Sequence, residues 1–328
     1  MDKPDRVEGK PLDWFGGDEF GNMKEGIWGE NIRPALSTMD RPGEAVLTGV
    51  PEGRNHFYKM AQYAQSGKDD WAYFHWPSEE ILGMTEEGRK DLAEAKATLD
   101  PLTYDQEYNA NFINFEGRAY YAFEREVHAN KKNRIFYRPD LPLIFCFDFN
   151  NKPGVTAIVQ EIDGETCGVG EVWIPQNSNT ELVSTKLALT WCHHKGIIKI
   201  YGDATGGAKT TTAVAGSDWD LVYGVLKPVF KDRLKMMVRK SNPPERVRVN
   251  SVNARLRTAD GKTHAKFDPV NCAHLIEDLD SVTLIEGGSG ELDKDSDKEK
   301  THISDAFGYY IAECFPIQSR EIVQETIY

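Results

Sequence analysis

The chain has 328 residues, of which 40% are hydrophobic and 28% charged, and its formal net charge is −13. This is ordinary globular composition, long enough for two domains, and the acidic balance argues against indiscriminate nucleic-acid binding. No apolar run reaches the ~18–20 residues of a membrane span, the start "MDKPDRVEGK" lacks the apolar core of a signal peptide, and the five scattered cysteines never form C-x-x-C, which suggests a reduced, cytosolic protein without a disulfide framework or zinc site.

The first stretch to raise a question is "WFGGDEFGN", Trp14 to Asn22. It contains GGDEF, the five-letter word that names the bacterial diguanylate cyclases. A cyclase needs a substantial αβ fold before that loop and often an Arg-x-x-Asp pair just upstream, and neither precedes Trp14. "AVLTGVPEG" (Ala45 to Gly53) predicts a short buried strand running into a Pro/Gly turn. "NHFYKMAQYAQSG" predicts a helix capped by Asn55 and stopped near Gly67. "WAYFHWP" predicts another aromatic strand ended by Pro77, and a polar helical piece broken at Pro101 follows it. Met1 to about Trp76 therefore has the pattern strand–helix–strand–helix–strand, the second half of an α/β domain.

Beyond the basic link "NKKNRIFYRPDLP" the pattern changes. "LIFCFDFN", "GVTAIVQEID" and "TCGVGEVWIP" predict three strands in an antiparallel meander, with Asp163-Gly164 as a hairpin turn. "SNTELVSTKLALTWCHHKG" predicts a helix, and the almost wholly apolar "IIKIYGDATGG" a strand buried on both faces of a sheet. Three antiparallel strands, a helix and a buried strand is the order of the ribonuclease H fold, in which the fourth strand lies parallel to the first.

That order brings acids together. Strand one ends at Asp148 and strand four at Asp203, so both carboxylates are expected at one sheet edge. The late helix "THISDAFGYYIAECF" supplies Asp305, with His302 three residues earlier on the same helical face. Converging carboxylates suit Mg²⁺ or Mn²⁺, and two such ions ~3.5–4 Å apart can drive phosphodiester hydrolysis. A single Asp at a strand end is more often a turn or capping residue, and His302 alone is more often a surface or packing histidine. Three acids falling where one fold needs them are much less readily explained by chance. Cys272 and His274 are expected to pack on the helix "CAHLIEDL" rather than to bind metal. From Lys227 to Arg257 ten Lys or Arg stand against Asp232 and Glu245, while the balance reverses in "ELDKDSDKEK", Glu291 to Lys300. On charge alone the two runs are most simply solvated surfaces.

"FCFDFN", "IYGDATGG" and "HISDAFGYYI", in that order and with the insert "SNPPERVRVNSVNARLRTADGKTHAKFDPVNCAHLIEDL" between the last two, resemble the large terminase subunit of tailed bacteriophages, a genome-packaging motor. The insert is the most specific match: an Asn-Pro-Pro turn, a helix, a β-hairpin around "ADGK" and a short helix. The resemblance implies an α/β chain made of the C-terminal half of a P-loop ATPase domain (residues 1–76), a helical lid and linker (77–137), and a ribonuclease H-like nuclease domain (138–328). The nuclease would cut concatemeric double-stranded DNA with Mg²⁺ or Mn²⁺ on Asp148, Asp203 and Asp305, with His302 supporting a metal-bound water or an adjacent phosphate. "LDWFGGDEF" resembles a Walker B strand, which implies that Asp18 holds the Mg²⁺ of ATP and Glu19 orients the attacking water. "LTGVPEG" resembles the coupling motif, which implies that Thr48 senses the γ-phosphate.

Two departures matter. Gly16 and Gly17 replace the usual apolar residues before the Asp-Glu pair. No G-x-x-x-x-G-K-[ST] phosphate loop occurs in the sequence, so ATP with Mg²⁺ is expected only in an intact full-length protein, and a fragment, a truncated gene or a split gene is expected here. The resemblance further implies double-stranded DNA, a portal protein and the small terminase subunit as partners, a homo-oligomeric ring on the procapsid, no membrane, and a location in the host cytoplasm. The basic stretch would then line a DNA-backbone groove, and the Asp260-Lys262 hairpin would gate the nuclease or touch the portal. Two rival readings remain. One is another ribonuclease H-like DNA enzyme, a transposase or resolvase, and the other is a catalytically inactive packaging adaptor.

Overall fold

The computed structural model describes residues 10–317 except 38–41, 54, 68–69, 114–116, 133, 208–215, 286–289, 296 and 298. Outside the described residues therefore lie positions 296 and 298 of the acidic run, and the outer ends of the first and last expected domains. The chain divides into two compact units, Met1–Ala93 with Leu102–Phe115, and Glu94–Pro101 with Glu116–Tyr328. Residues 77–137 distribute over both.

In the first unit, β1 (Trp14–Gly17) pairs in parallel with β2 (Glu44–Leu47), from Trp14 opposite Glu44 to Gly17 opposite Leu47. A π-helical turn, Trp28–Ile32, leads into α1 (Arg33–Leu36), with Pro34 in its first turn. Phe20, Ile27, Ile32 and Leu36 form the small core. α2 (His56–Gln65) begins at Asn55, whose side chain accepts the Tyr58 N–H at 3.2 Å, as the sequence predicts. The strand expected at "WAYFHWP" does not form. These residues find no ladder partner among the described residues, and Phe74 and Trp76, 66% and 63% exposed, stack on each other. Aromatic alternation reproduces a strand's pattern without supplying a partner strand. The helices α3 (Ser78–Leu82), α4 (Glu86–Thr98) and α5 (Pro101–Glu107) follow, the stretch Glu94–Pro101 being grouped with the second unit.

The second unit is built on one six-stranded mixed sheet. After the short α6 (Arg125–His128) come β3 (Leu143–Asp148), β4 (Gly154–Ile162) and β5 (Glu165–Ile174), an antiparallel meander. Asp163 and Gly164 join β4 to β5 with positive φ of 52° and 84°, the conformation a tight hairpin requires. α7 (Thr180–Trp191) crosses to β6 (Ile198–Gly202), which lies parallel to β3. α8 (Asp218–Phe230) leads to β7 (Leu234–Met236), α9 (Glu245–Leu256) to β8 (Ala265–Phe267), and α10 (Ala273–Ser281) and α11 (His302–Cys314) close the chain. The strand order is β7-β6-β3-β4-β5-β8.

Side chains of β3 alternate between two cores because successive Cβ atoms point to opposite faces. Leu143, Phe145 and Phe147 pack with Leu187, Val222 and Leu226 of α7 and α8. Ile144 and Cys146 pack with Val252, Leu275 and Phe307 of α9, α10 and α11. Covering the sheet on both faces explains why its central strands are apolar without a polar side.

The expected β-hairpin around Asp260 is instead a tight turn. Thr258 N–H donates to the Lys262 carbonyl at 2.9 Å and His264 N–H to the Arg255 carbonyl at 3.1 Å. α9 runs to Leu256 and leaves no strand before the turn, and the strand after it, β8, pairs in parallel with β5. No helix among the described residues is long and apolar enough to cross a membrane.

Candidate active site

The centre of the sheet delivers two of the expected acids side by side. β3 and β6 are parallel neighbours, with Phe147 opposite Gly202, so Asp148 ends one strand and Asp203 follows the other. Asp203 N–H donates to the Phe147 carbonyl at 3.2 Å. Gly202 permits this approach, because a Cβ there would collide with the Phe147 carbonyl oxygen.

Both carboxylates are half-buried and hydrogen-bonded on one side. Asp203 Oδ1 accepts from the Thr205 N–H at 2.7 Å and from Asn242 Nδ2 at 2.6 Å, and Trp219 Nε1 donates to the Asp203 carbonyl at 3.0 Å. Asp148 Oδ2 accepts from Asn150 Nδ2 and lies 3.1 Å from His302 Nδ1. Asn150 Nδ2 is also 2.8 Å from that ring nitrogen, so a proton on Nδ1 favours the bond to Asp148 and a lone pair favours the amide. His302 thus joins Asp148 across 154 residues.

Asp305 is placed differently. It is 4% exposed, with its Oδ1 2.6 Å from Arg248 Nη2 and its Oδ2 2.9 Å from Lys294 Nζ. Lys294 also reaches Glu245 at 2.7 Å, and the Arg248 guanidinium lies 4.6 Å from the centre of the Tyr309 ring. Burial raises the carboxyl pKa of Asp305, and Arg248 and Lys294 pull against that rise. Among the described residues no group of three or more His, Cys, Asp and Glu could hold a metal ion as they stand. Asp148 and Asp203 suit a hard divalent cation as oxygen donors, while Asp305 is already matched by two cationic side chains. Asp278 of α10 is a further buried acid beside this group. Burial lifts its pKa to about 7 against the opposing effect of bonds from Ser304, with Asp305 raising it and His302 lowering it.

The other residues expected to act are in the first unit. Thr48 Oγ1 donates to Asp18 Oδ1 at 2.8 Å, and Phe20 N–H donates to the Thr48 carbonyl at 2.9 Å. The β1–β2 pairing therefore joins Asp18 to Thr48 across 30 residues. Glu19, beside Asp18, has φ 47° and an exposed side chain.

Much of the basic stretch is neutralised within the protein. Lys227 pairs with Asp232, Arg239 with Glu313, Arg248 with Asp305, Arg255 with Glu161 and Arg257 with Glu124, while Arg233 bonds the His194 carbonyl. Lys231, Lys235 and Lys240 are exposed. His274 bonds Glu171 at 2.6 Å and stacks on Trp173, and Cys272 is fully buried, which is the packing expected of that helix. Sequence reasoning missed Asn150, Asn242, Arg248 and Lys294. Only their closeness to the acid motifs, or to the Pro243-Pro244 pair, could have signalled them.

Over almost its whole length the chain is similar to the large terminase of a thermophilic bacteriophage. The structure of that terminase in complex with ADP is matched over 95% of this chain and 71% of that one, at 14% identity and a TM-score of 0.55. Its complex with ATP-gamma-S is matched over 94% and 72%, at 14% identity and a TM-score of 0.57. No family model and no curated protein matches the chain. The chain has the fold of a phage large terminase subunit.

Proposed function

We propose that this chain serves viral genome packaging as a metal-dependent endonuclease that cuts concatemeric double-stranded DNA. The observation that carries the reading is the meeting of Asp148 and Asp203 at adjacent ends of two central parallel strands. We take the second unit as a ribonuclease H-like nuclease domain and the first as the Walker B part of a packaging ATPase with a helical lid.

In this reading Asp148 and Asp203 would hold Mg²⁺ or Mn²⁺, with Asp305 as the third acid. Such an ion would activate water and stabilise the leaving oxygen of a phosphodiester. The protein's own groups orient and balance the site. Asn150 and His302 steady Asp148, and Arg248 and Lys294 hold Asp305 in place. Lys235 and Lys240 are assigned to DNA phosphates, where contacts give affinity without sequence choice. Asp18, Glu19 and Thr48 are assigned to the Mg²⁺, the water and the γ-phosphate of ATP. The Asp18–Thr48 bond supports that assignment. The sequence contains no phosphate loop, so ATP turnover is assigned only to a protein that also supplies one. Double-stranded DNA, a portal protein, a small terminase subunit and a homo-oligomeric ring in the host cytoplasm complete the proposal.

The test is incubation of the whole chain with supercoiled plasmid and Mn²⁺. Nicking and linearisation without sequence preference, abolished by EDTA, is the expected result. An intact plasmid under these conditions would transfer the assignment to a non-enzymatic packaging adaptor.

A further inference from the structure

Asn242 contacts Asp203 from 39 residues further along the chain, and both ends of its carboxamide are engaged. Nδ2 donates to Asp203 Oδ1 at 2.6 Å, while Oδ1 accepts the Ala204 N–H at 2.8 Å. The Thr205 N–H, at 2.7 Å, gives Asp203 Oδ1 its second donor. A carboxylate oxygen has about two lone-pair sites, so Oδ1 is saturated. No hydrogen bond from the described residues reaches Oδ2. The amide thereby fixes the rotation of the carboxylate and leaves Oδ2 as the oxygen without a donor among the described residues.

The backbone around Asn242 is stiff for a local reason. Pro243 and Pro244 follow it, each with φ fixed by its ring, and a residue before proline is confined to extended conformations. Pro244 is also the N-cap residue of α9. One turn of α9 later, Arg248 holds Asp305. The short segment Asn242–Arg248 thus touches two acids that arrive on different elements. Asn242 itself lines a cleft with Tyr201, Arg239, Ser241, Tyr309 and Glu313, so the amide lies at an opening rather than deep in the core.

We infer that Asn242 is a positioning residue that presents Asp203 Oδ2 as the ligating oxygen of the nuclease metal site. The inference rests on the proposed metal site. Partners that orient metal-binding side chains typically change affinity by about 10–100-fold when removed.

The experiment is calorimetric titration of the metal-free full chain with Mn²⁺, run on wild type, Asn242→Ala, Asn242→Thr, Ser241→Ala and Asp203→Ala, with thermal midpoints recorded in EDTA. Asn242→Ala and Asn242→Thr should weaken Mn²⁺ about 10–100-fold, with midpoints close to wild type. Ser241→Ala, in the same cleft, should bind as wild type. The threonine variant keeps a polar group too short to reach Asp203, and it stands in should the alanine variant not fold. Wild-type affinity in the folded Asn242 variants, alongside loss in Asp203→Ala, would overturn the positioning role and leave the metal site standing. Equal Mn²⁺ affinity in wild type and Asp203→Ala would remove the metal site and the inference with it.

Discussion

Arg248 and Asp305 form a buried ion pair, 2.6 Å apart, with side chains 5% and 6% exposed. Breaking such a pair by removing one partner costs about 3–5 kcal/mol, whereas replacing both by apolar groups of similar volume is often neutral; here Lys294 stays on Asp305 and limits the loss. Arg248→Met should therefore lower unfolding stability by at most that amount, about 3 kcal/mol or less. The double variant Arg248→Met with Asp305→Leu should recover most of it, as urea unfolding would show. A double variant as unstable as the sum of two broken singles would contradict this account of the pair.

Asp278 gives a pH dependence of definite sign. Its folded pKa, about 7, lies above the unfolded carboxylate value of 3.8. Between those values the folded state binds a proton that the unfolded state has released, so this contribution is present below pH ~4 and is lost as pH rises through 7. Asp278→Asn keeps an oxygen to accept the Ser304 N–H, 3.2 Å away in the wild type, and removes the charge. The variant should match wild type near pH 4 and exceed it at pH 8 by on the order of 2–4 kcal/mol. Denaturant unfolding at the two pH values decides it, and equal stabilities at pH 8 would contradict the prediction.

These two acids also mark what was legible in the sequence. β3 is a continuous apolar run before Asp148, β4, β5 and β6 are largely apolar, and all are bounded by turn residues, so their existence and order could be read, and with them Asp148 and Asp203. Asp18 and Thr48 were singled out through their motifs, and a hydrogen bond that the motifs did not announce joins them. Asp305 was placed on its helix correctly, but its partners Arg248 and Lys294 come from other segments whose approach depends on tertiary packing. Asn242 escaped for the same reason. The strand at "WAYFHWP" failed because alternation cannot reveal whether a partner strand exists. The hairpin at Asp260 failed because α9 extends to the turn.

The approach of β6 to β3 depends on Gly202. In Gly202→Ala the new methyl would push against the Phe147 carbonyl and separate Asp203 from Asp148. Misplacement of about 1 Å can cost ~10²-fold in rate. Plasmid cleavage should fall by about that factor, and an unchanged rate in a folded variant would contradict the geometry.

DNA affinity should carry a small lysine signature. Lys235→Ala and Lys240→Ala should each weaken binding equally for unrelated duplexes and reduce the slope of log K against log salt by about one. Arg255→Ala, which removes a partner of Glu161 rather than of DNA, should leave that slope unchanged. Fluorescence anisotropy across a salt series measures both, and a sequence-dependent loss would contradict backbone binding.

The central claim is that the β3 and β6 edge acids form one nuclease site. Its most direct test is the Mn²⁺-dependent cleavage rate of supercoiled plasmid by wild type, Asp148→Ala and Asp203→Ala at equal folded concentration. The account predicts cleavage by wild type and loss of at least about 10²-fold in each variant. Cleavage at the wild-type rate by either variant would contradict it.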